Sequence, residues 1–81
     1  MYPKQIEHAL RVQRLVLSTL GTNQAMTPMV LIEKVVSIDD RTIKADDVRG
    51  AINTLLGRDV LEIVMANVRW RNTPLARSYK P

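Results

Sequence analysis

Few residues in this chain are of the types that do covalent chemistry, and their spacing points elsewhere. His8 is the only histidine and cysteine is absent, so a zinc site of thiolates and imidazoles cannot be assembled from the sequence. His8 is expected on a helix surface. The pairs Asp39-Asp40 and Asp46-Asp47 do not open a calcium loop, because Ile43 stands at the fifth place from Asp39 and Lys44 at the sixth, where a ligand and a glycine are needed. They suit a loop and a helix start. No glycine-rich phosphate loop or nucleophile motif occurs. The expectation is a protein without catalysis, cofactor or metal. The chemistry that remains is recognition by hydrogen bonds. Arg49 and Asn53 are four residues apart, one turn on a helix, and pair a guanidinium with a carboxamide on one face.

That face needs an element to carry it. Val48, Ala51, Ile52, Leu55 and Leu56 recur with helical period from about Ala45 to Leu56, with Asp46 and Asp47 in the first turn, where carboxylates favour the helix dipole. Gly57 is expected to end this helix, whose polar side carries Arg49, Gly50, Asn53 and Thr54. Two helices precede it. The first runs from about Lys4 to Leu20 with Ile6, Ala9, Leu10, Val16, Leu17 and Leu20 as its apolar stripe and Gly21 as its stop. Gln13 falls within the stripe and would need partners, whereas Leu15 falls outside it. The second begins at Thr27-Pro28, a capping hydroxyl followed by proline at the first helical position, and runs to about Val36. Its core face is expected at Met29, Ile32, Val35 and Val36, leaving Val30 outward. The β-branched content would also suit a strand; the capping pair favours the helix.

From Leu61 onward the pattern alternates. If Ala66-Asn67 is a two-residue turn, Met65 opposes Val68, Ile63 opposes Trp70 and Leu61 opposes Asn72 on one face. On the other, Glu62 meets Arg71 and Val64 meets Arg69. Trp70 is expected to cover the core rather than stack on a base. After Thr73-Pro74 the periodicity stops, and residues 73–81 are expected as an extended basic tail on a domain of residues 1–72. The expected core contains Leu10, Leu17, Ile32, Val35, Val48, Ile52, Leu55, Ile63 and Trp70.

Eighty-one residues hold one domain. All 8 acidic residues and eight of the 12 basic ones lie within residues 1–68, so the net charge of +4 comes from Arg69, Arg71, Arg77 and Lys80. An anionic partner would meet that end, though a basic tail can also simply solubilise. There is no signal-peptide pattern, the longest apolar run is Met29 to Ile32, and cysteine is absent; together these favour a soluble cytoplasmic protein.

The stretch Val48-Arg49-Gly50-Ala51-Ile52-Asn53-Thr54-Leu55-Leu56-Gly57-Arg58-Asp59-Val60-Leu61-Glu62 resembles the recognition helix and first wing strand of bacterial winged helix-turn-helix regulators. These often read as Val-Arg-x-Ala-Leu-x-x-Leu, a basic residue, a small turn, then a Leu-Ile/Val-Glu strand. The layout agrees over roughly residues 5–72 and the motif over 48–62. Asp59 replaces the usual glycine before the strand, and Asp46-Asp47 is a second departure. The resemblance implies an α+β, three-helix winged helix-turn-helix with a C-terminal β-hairpin wing, binding double-stranded DNA as a small transcriptional regulator or accessory protein. It implies base contacts from Arg49, Asn53 and Thr54 in the major groove. Backbone contacts would come from Gly50, Arg58, Arg69, Arg71, Arg77 and Lys80, Gly50 by allowing close approach of a phosphate. The alternative is a winged-helix protein-interaction module that does not bind DNA. The acids at the helix start favour it, as do Leu15 and Val30, expected to be exposed and available to a homodimer or protein partner.

Overall fold

Thr27 caps a helix as its sequence predicts: in the computed structural model, which describes residues 3–81, its Oγ1 accepts a hydrogen bond from the Val30 backbone N–H at 3.3 Å. Helix α1 spans Pro3–Leu20, strand β1 Ala25–Met26, helix α2 Pro28–Ile38 and helix α3 Ala45–Gly57. The hairpin strands β2 (Leu61–Val64) and β3 (Asn67–Trp70) and a last helical turn, α4 (Pro74–Arg77), complete an α+β chain. The three strands form one antiparallel sheet in the order β1-β3-β2. None of the described helices is long and apolar enough to cross a membrane.

The three long helices pack on one another and on the hairpin around Val12, Val16, Leu20, Leu31, Val35, Val48, Leu55, Leu61 and Val68, all buried. The α3 face is as expected. On α1 the buried residues begin only at Val12, and Ile6 and Ala9 are exposed, because an open cleft separates the N-terminal turns from the start of α3. On α2 the core positions are Leu31 and Val35, with Ile32 and Val36 partly covered and Met29 72% exposed. Four consecutive apolar residues at 29–32 fit more than one helical phase, and packing on α1 and α3 selects the one that buries Leu31. Ile43, within the expected polar connection, is fully buried. Leu15 is half-buried against the core instead of exposed, while Val30 is exposed.

Helix α3 has Gly57 as its last residue, but Gly57 does not form its stop. Its end is built by Asp59, at φ 60°, with Asp59 N–H donating to the Leu56 carbonyl and Val60 N–H to that of Leu55. This is the left-handed C′ position that glycine usually takes, and aspartate is among the side chains that tolerate it best. The departure at Asp59 therefore keeps the conformation that glycine would supply.

The hairpin pairs Leu61 with Trp70, Glu62 with Arg69, Ile63 with Val68 and Val64 with Asn67. The turn is thus Met65-Ala66, one residue earlier than expected, which moves every cross-strand partner by two. A slip of two leaves every side chain on its expected face and changes only its partner. Pairing of β1 with β3, which sets Met26 against Val68, holds Val68 over the core. Ile63, expected in the core, is 57% exposed because the hairpin projects beyond the helices at that point. Both turn residues have positive φ, 52° at Met65 and 67° at Ala66. That mirror-image turn matches strand twist but normally recruits Asn-Gly, and each non-glycine residue in it costs about 1 kcal/mol.

Residues 73–81 are not an extended tail. Thr73 Oγ1 accepts from Ala76 N–H at 3.2 Å, Ala76 is buried, and the Trp70 indole N–H donates to the Ala76 carbonyl at 2.6 Å. Tyr79 then lies against α1. Its hydroxyl donates to Oε1 of Gln13 at 3.3 Å and accepts from Nη1 of Arg58 at 2.6 Å. Gln13, a buried polar residue of the apolar stripe, thereby finds the partner its position demands. Trp70 packs on the core, as expected.

Candidate functional site

Outside its core face, α3 presents Asp46, Arg49, Gly50, Asn53 and Gly57, all exposed. A Cβ built on Gly50 or Gly57 would meet nothing within 4 Å, so the strip is open along its length. Neither glycine is needed for packing within the chain. Arg49 and Asn53 share one cleft with Ile32 of α2 and with Ile63 and Val68 of the hairpin, which puts the helix strip and the hairpin on a common side of the molecule. Thr54 does not join them. It is half-buried on the α1 flank of the helix, and its hydroxyl donates to the Gly50 carbonyl at 2.9 Å.

The two acids at the start of α3 have different surroundings. Asp47 turns back to accept from the Lys44 backbone N–H at 3.0 Å and meets Nε2 of His8 at 3.3 Å, tying α1 to the start of α3. The Lys44 N–H, helped by His8, holds its carboxyl below the usual carboxylate range against a smaller opposing effect of burial. Asp46 stays outward on the strip and pairs with Arg49 at 2.7 Å. His8, expected on the surface alone, is half-buried in this contact.

Asp39 is held in a similar way: the Thr42 hydroxyl at 2.7 Å and then Arg11 at 3.1 Å lower its pKa. Both carboxylates are more acidic folded than unfolded, so their contribution is present above the unfolded value near pH 4 and is lost as pH falls through the lower folded values. Acid titration of Asp47→Asn should therefore show a shallower loss of thermal stability below about pH 4 than the parent chain. An identical acid limb would place Asp47 outside the linkage.

The cations assigned to the C-terminal end fall into two groups. Arg69 pairs with Glu62 at 2.6 Å, and Arg71 lies 3.2 Å from Asp59 and 3.8 Å from Glu62. Two acids thus answer two cations, and the hairpin is locally neutral although its strand sequence is basic. Arg77 and Lys80 are exposed and have no ion-pair partner among the described residues. They line clefts with residues of α1 and of the loop after it, Lys80 beside Arg14 and Leu17, Arg77 beside Thr22 and Asn23. No residue of the α3 strip lines either cleft. Arg58 is held by Tyr79.

The arrangement therefore joins Arg49 and Asn53 to the hairpin, places Gly50 on the α1 side of the helix beside Thr54, and sets Arg77 and Lys80 apart from them. The chain matches no family model, no curated protein and no solved structure. What the site can do must follow from its own residues. Among the described residues no group of three or more His, Asp or Glu side chains converges as metal ligands would. The strip offers a guanidinium with paired donors, a carboxamide with a donor and an acceptor, and a stretch of bare backbone between them. Sequence reasoning missed Met29, exposed beside Arg49, and Met65, exposed in the hairpin turn. The apolar run at 29–32 signalled the first without fixing its phase; nothing short of the correct turn would have placed the second.

Proposed function

We propose that this chain is a winged helix-turn-helix protein that binds double-stranded DNA as a small transcriptional regulator or accessory protein. Helix α3 enters the major groove and the β2–β3 hairpin lies beside it as the wing. The observation that carries this reading is the open α3 strip, in which Arg49 and Asn53 flank the bare backbone of Gly50 and share a cleft with the hairpin. Arg49 suits the two acceptors of guanine, Asn53 the acceptor and donor of adenine, and Gly50 lets the helix approach closely. Asp46 opposes this by holding Arg49 and facing phosphates. Exposed ion pairs are worth about 0–1 kcal/mol, so Arg49, Arg69 and Arg71 can exchange their carboxylates for nucleic acid at little cost.

Mobility-shift titrations test the reading. Arg49→Ala and Asn53→Ala should each lose about 1–3 kcal/mol on a preferred site and little on random duplex. Asp46→Asn should tighten binding to both, because it removes a like charge from the groove and releases Arg49. Arg77→Ala with Lys80→Ala should flatten the slope of log affinity against log salt by roughly 0.9 for each phosphate no longer neutralised. Absence of duplex binding at low salt would reject DNA as the ligand. The second reading, a protein-interaction module, would then be favoured by Met29 and Ile63, large apolar side chains exposed beside Arg49. Val30 is exposed but lines neither cleft that holds Arg49, and Leu15 is packed on the core.

A further inference from the structure

The hairpin tip is unlike the rest of the polar surface. Ile63, Val64 and Met65 are exposed in succession, Met65 at 91%, and no charged residue lies between Glu62 and Arg69. Met65 also occupies a left-handed backbone position that disfavours it, in a turn that Asn-Gly would satisfy better. A long apolar side chain held at the outermost point of a strained turn stabilises nothing within this chain. Strain of this kind clusters where a segment meets a ligand.

The occupant can be argued from shape and surroundings. The tip is only two residues wide, and three apolar side chains fall far short of the roughly 20–30 residues a side of a stable protein interface. The hairpin stands on the same side as the α3 strip, since Ile63 and Asn53 line one cleft. Behind the tip lie Arg69 and Arg71, held only by exposed pairs to acids. An apolar point backed by exchangeable cations fits a ligand with an apolar interior and an anionic rim, which is the stacked base step between two phosphate backbones.

We propose that Met65 is a wedge that enters the minor groove, partly unstacks a base step and bends the duplex, a role that rests on the DNA reading above. Apolar side chains inserted in this way kink DNA by tens of degrees, and flexible pyrimidine–purine steps yield most readily. The hairpin would then select sequence by deformability while α3 reads base edges, with Arg69 and Arg71 closing on the flanking phosphates.

The test uses the full chain and a pool of duplexes carrying a fluorophore at each end, so that bending is read as increased energy transfer alongside binding. The decisive variant is Met65→Asn with Ala66→Gly, which supplies the residues the turn prefers and should raise the melting temperature while abolishing the bend. Met65→Leu, another apolar wedge, should keep it. This combination cannot be confused with misfolding, because the variant that loses function is the more stable one. A wild-type complex with straight DNA, or an Asn-Gly variant that bends as well as wild type, would overturn the wedge and leave the DNA reading standing. Failure of the wild type to bind duplex at all would overturn both. Sedimentation of wild type as a dimer and of the Asn-Gly variant as a monomer would assign the tip to contact between copies and also overturn the wedge.

Discussion

Leu55→Ala is expected to destabilise the chain by about 2–5 kcal/mol, through lost transfer free energy and the cavity left between helices that relax only in part. Leu55 is fully buried at the centre of the α3 core face. Small domains have about 5–15 kcal/mol in total, and each kcal/mol moves the melting temperature by about 4–8 °C at this size, so the midpoint should fall by roughly 8 °C or more. Ile63→Ala supplies the contrast. Its side chain has a similar volume and lies in the alternating pattern that suggested a core position, yet it is exposed and should change stability by at most about 0.5 kcal/mol. Calorimetry of the two variants separates burial from pattern. A shift under a couple of degrees for Leu55→Ala would contradict the packing of α3.

Deletion of residues after Asn72 is expected to cost about 2–4 kcal/mol, because it leaves buried or half-buried polar groups unmade as well as removing apolar cover. Gln13 loses Tyr79, its one side-chain partner among the described residues, and the Trp70 indole N–H loses the Ala76 carbonyl. Unfolding should shift accordingly, and Trp70 emission should move to longer wavelength as water reaches the ring. Tyr79→Phe isolates the hydroxyl, with an expected loss of about 1 kcal/mol and no change at Trp70. An unchanged midpoint and emission after deletion would mean that the segment contributes nothing to the fold. For the same reason deletion is a poor probe of ligand binding, and the point substitutions at Arg77 and Lys80 are needed there.

The parts of this structure that were legible in the sequence are those fixed by local rules. Helix α3 could be placed almost to the residue, because Val48, Ala51, Ile52 and Leu55 leave one possible phase and Asp46 and Asp47 mark the start. The exposure of Arg49, Gly50 and Asn53 followed from that phase. Where several phases fit, as in the Met29–Ile32 run, only packing decides, and Met29 and Leu31 exchange roles. The hairpin slipped by two for a comparable reason: alternation fixes faces, but the turn fixes partners, and the contact of Met26 with Val68 belongs to a strand of two residues that leaves no periodic trace. The docked C-terminal segment is a different case. Thr73-Pro74 repeats the capping pair of Thr27-Pro28, so the signal for α4 is local and of the same kind as that for α2. Charge was the least transferable signal. Arg69 and Arg71 are an excess along the chain but not in space, since Asp59 and Glu62 lie against them.

The contact between Gln13 and Tyr79 bridges 66 positions of chain, and it sets an order of events during synthesis. Helix α1 is made first, yet its interior carboxamide has no side-chain partner until residue 79 has been added and has crossed the surface to reach it. At about 5–20 residues per second, the intervening stretch keeps that helix waiting for several seconds. For part of this time Leu17 and Leu20 also lack Leu55, Leu61 and Val68, members of the same core that have yet to be made. The nascent chain therefore carries an amphipathic helix with a polar flaw in its apolar stripe, a feature that disfavours lasting burial against another greasy surface. Burial of that carboxamide with its hydrogen bond made is therefore completed only when Tyr79 reaches it.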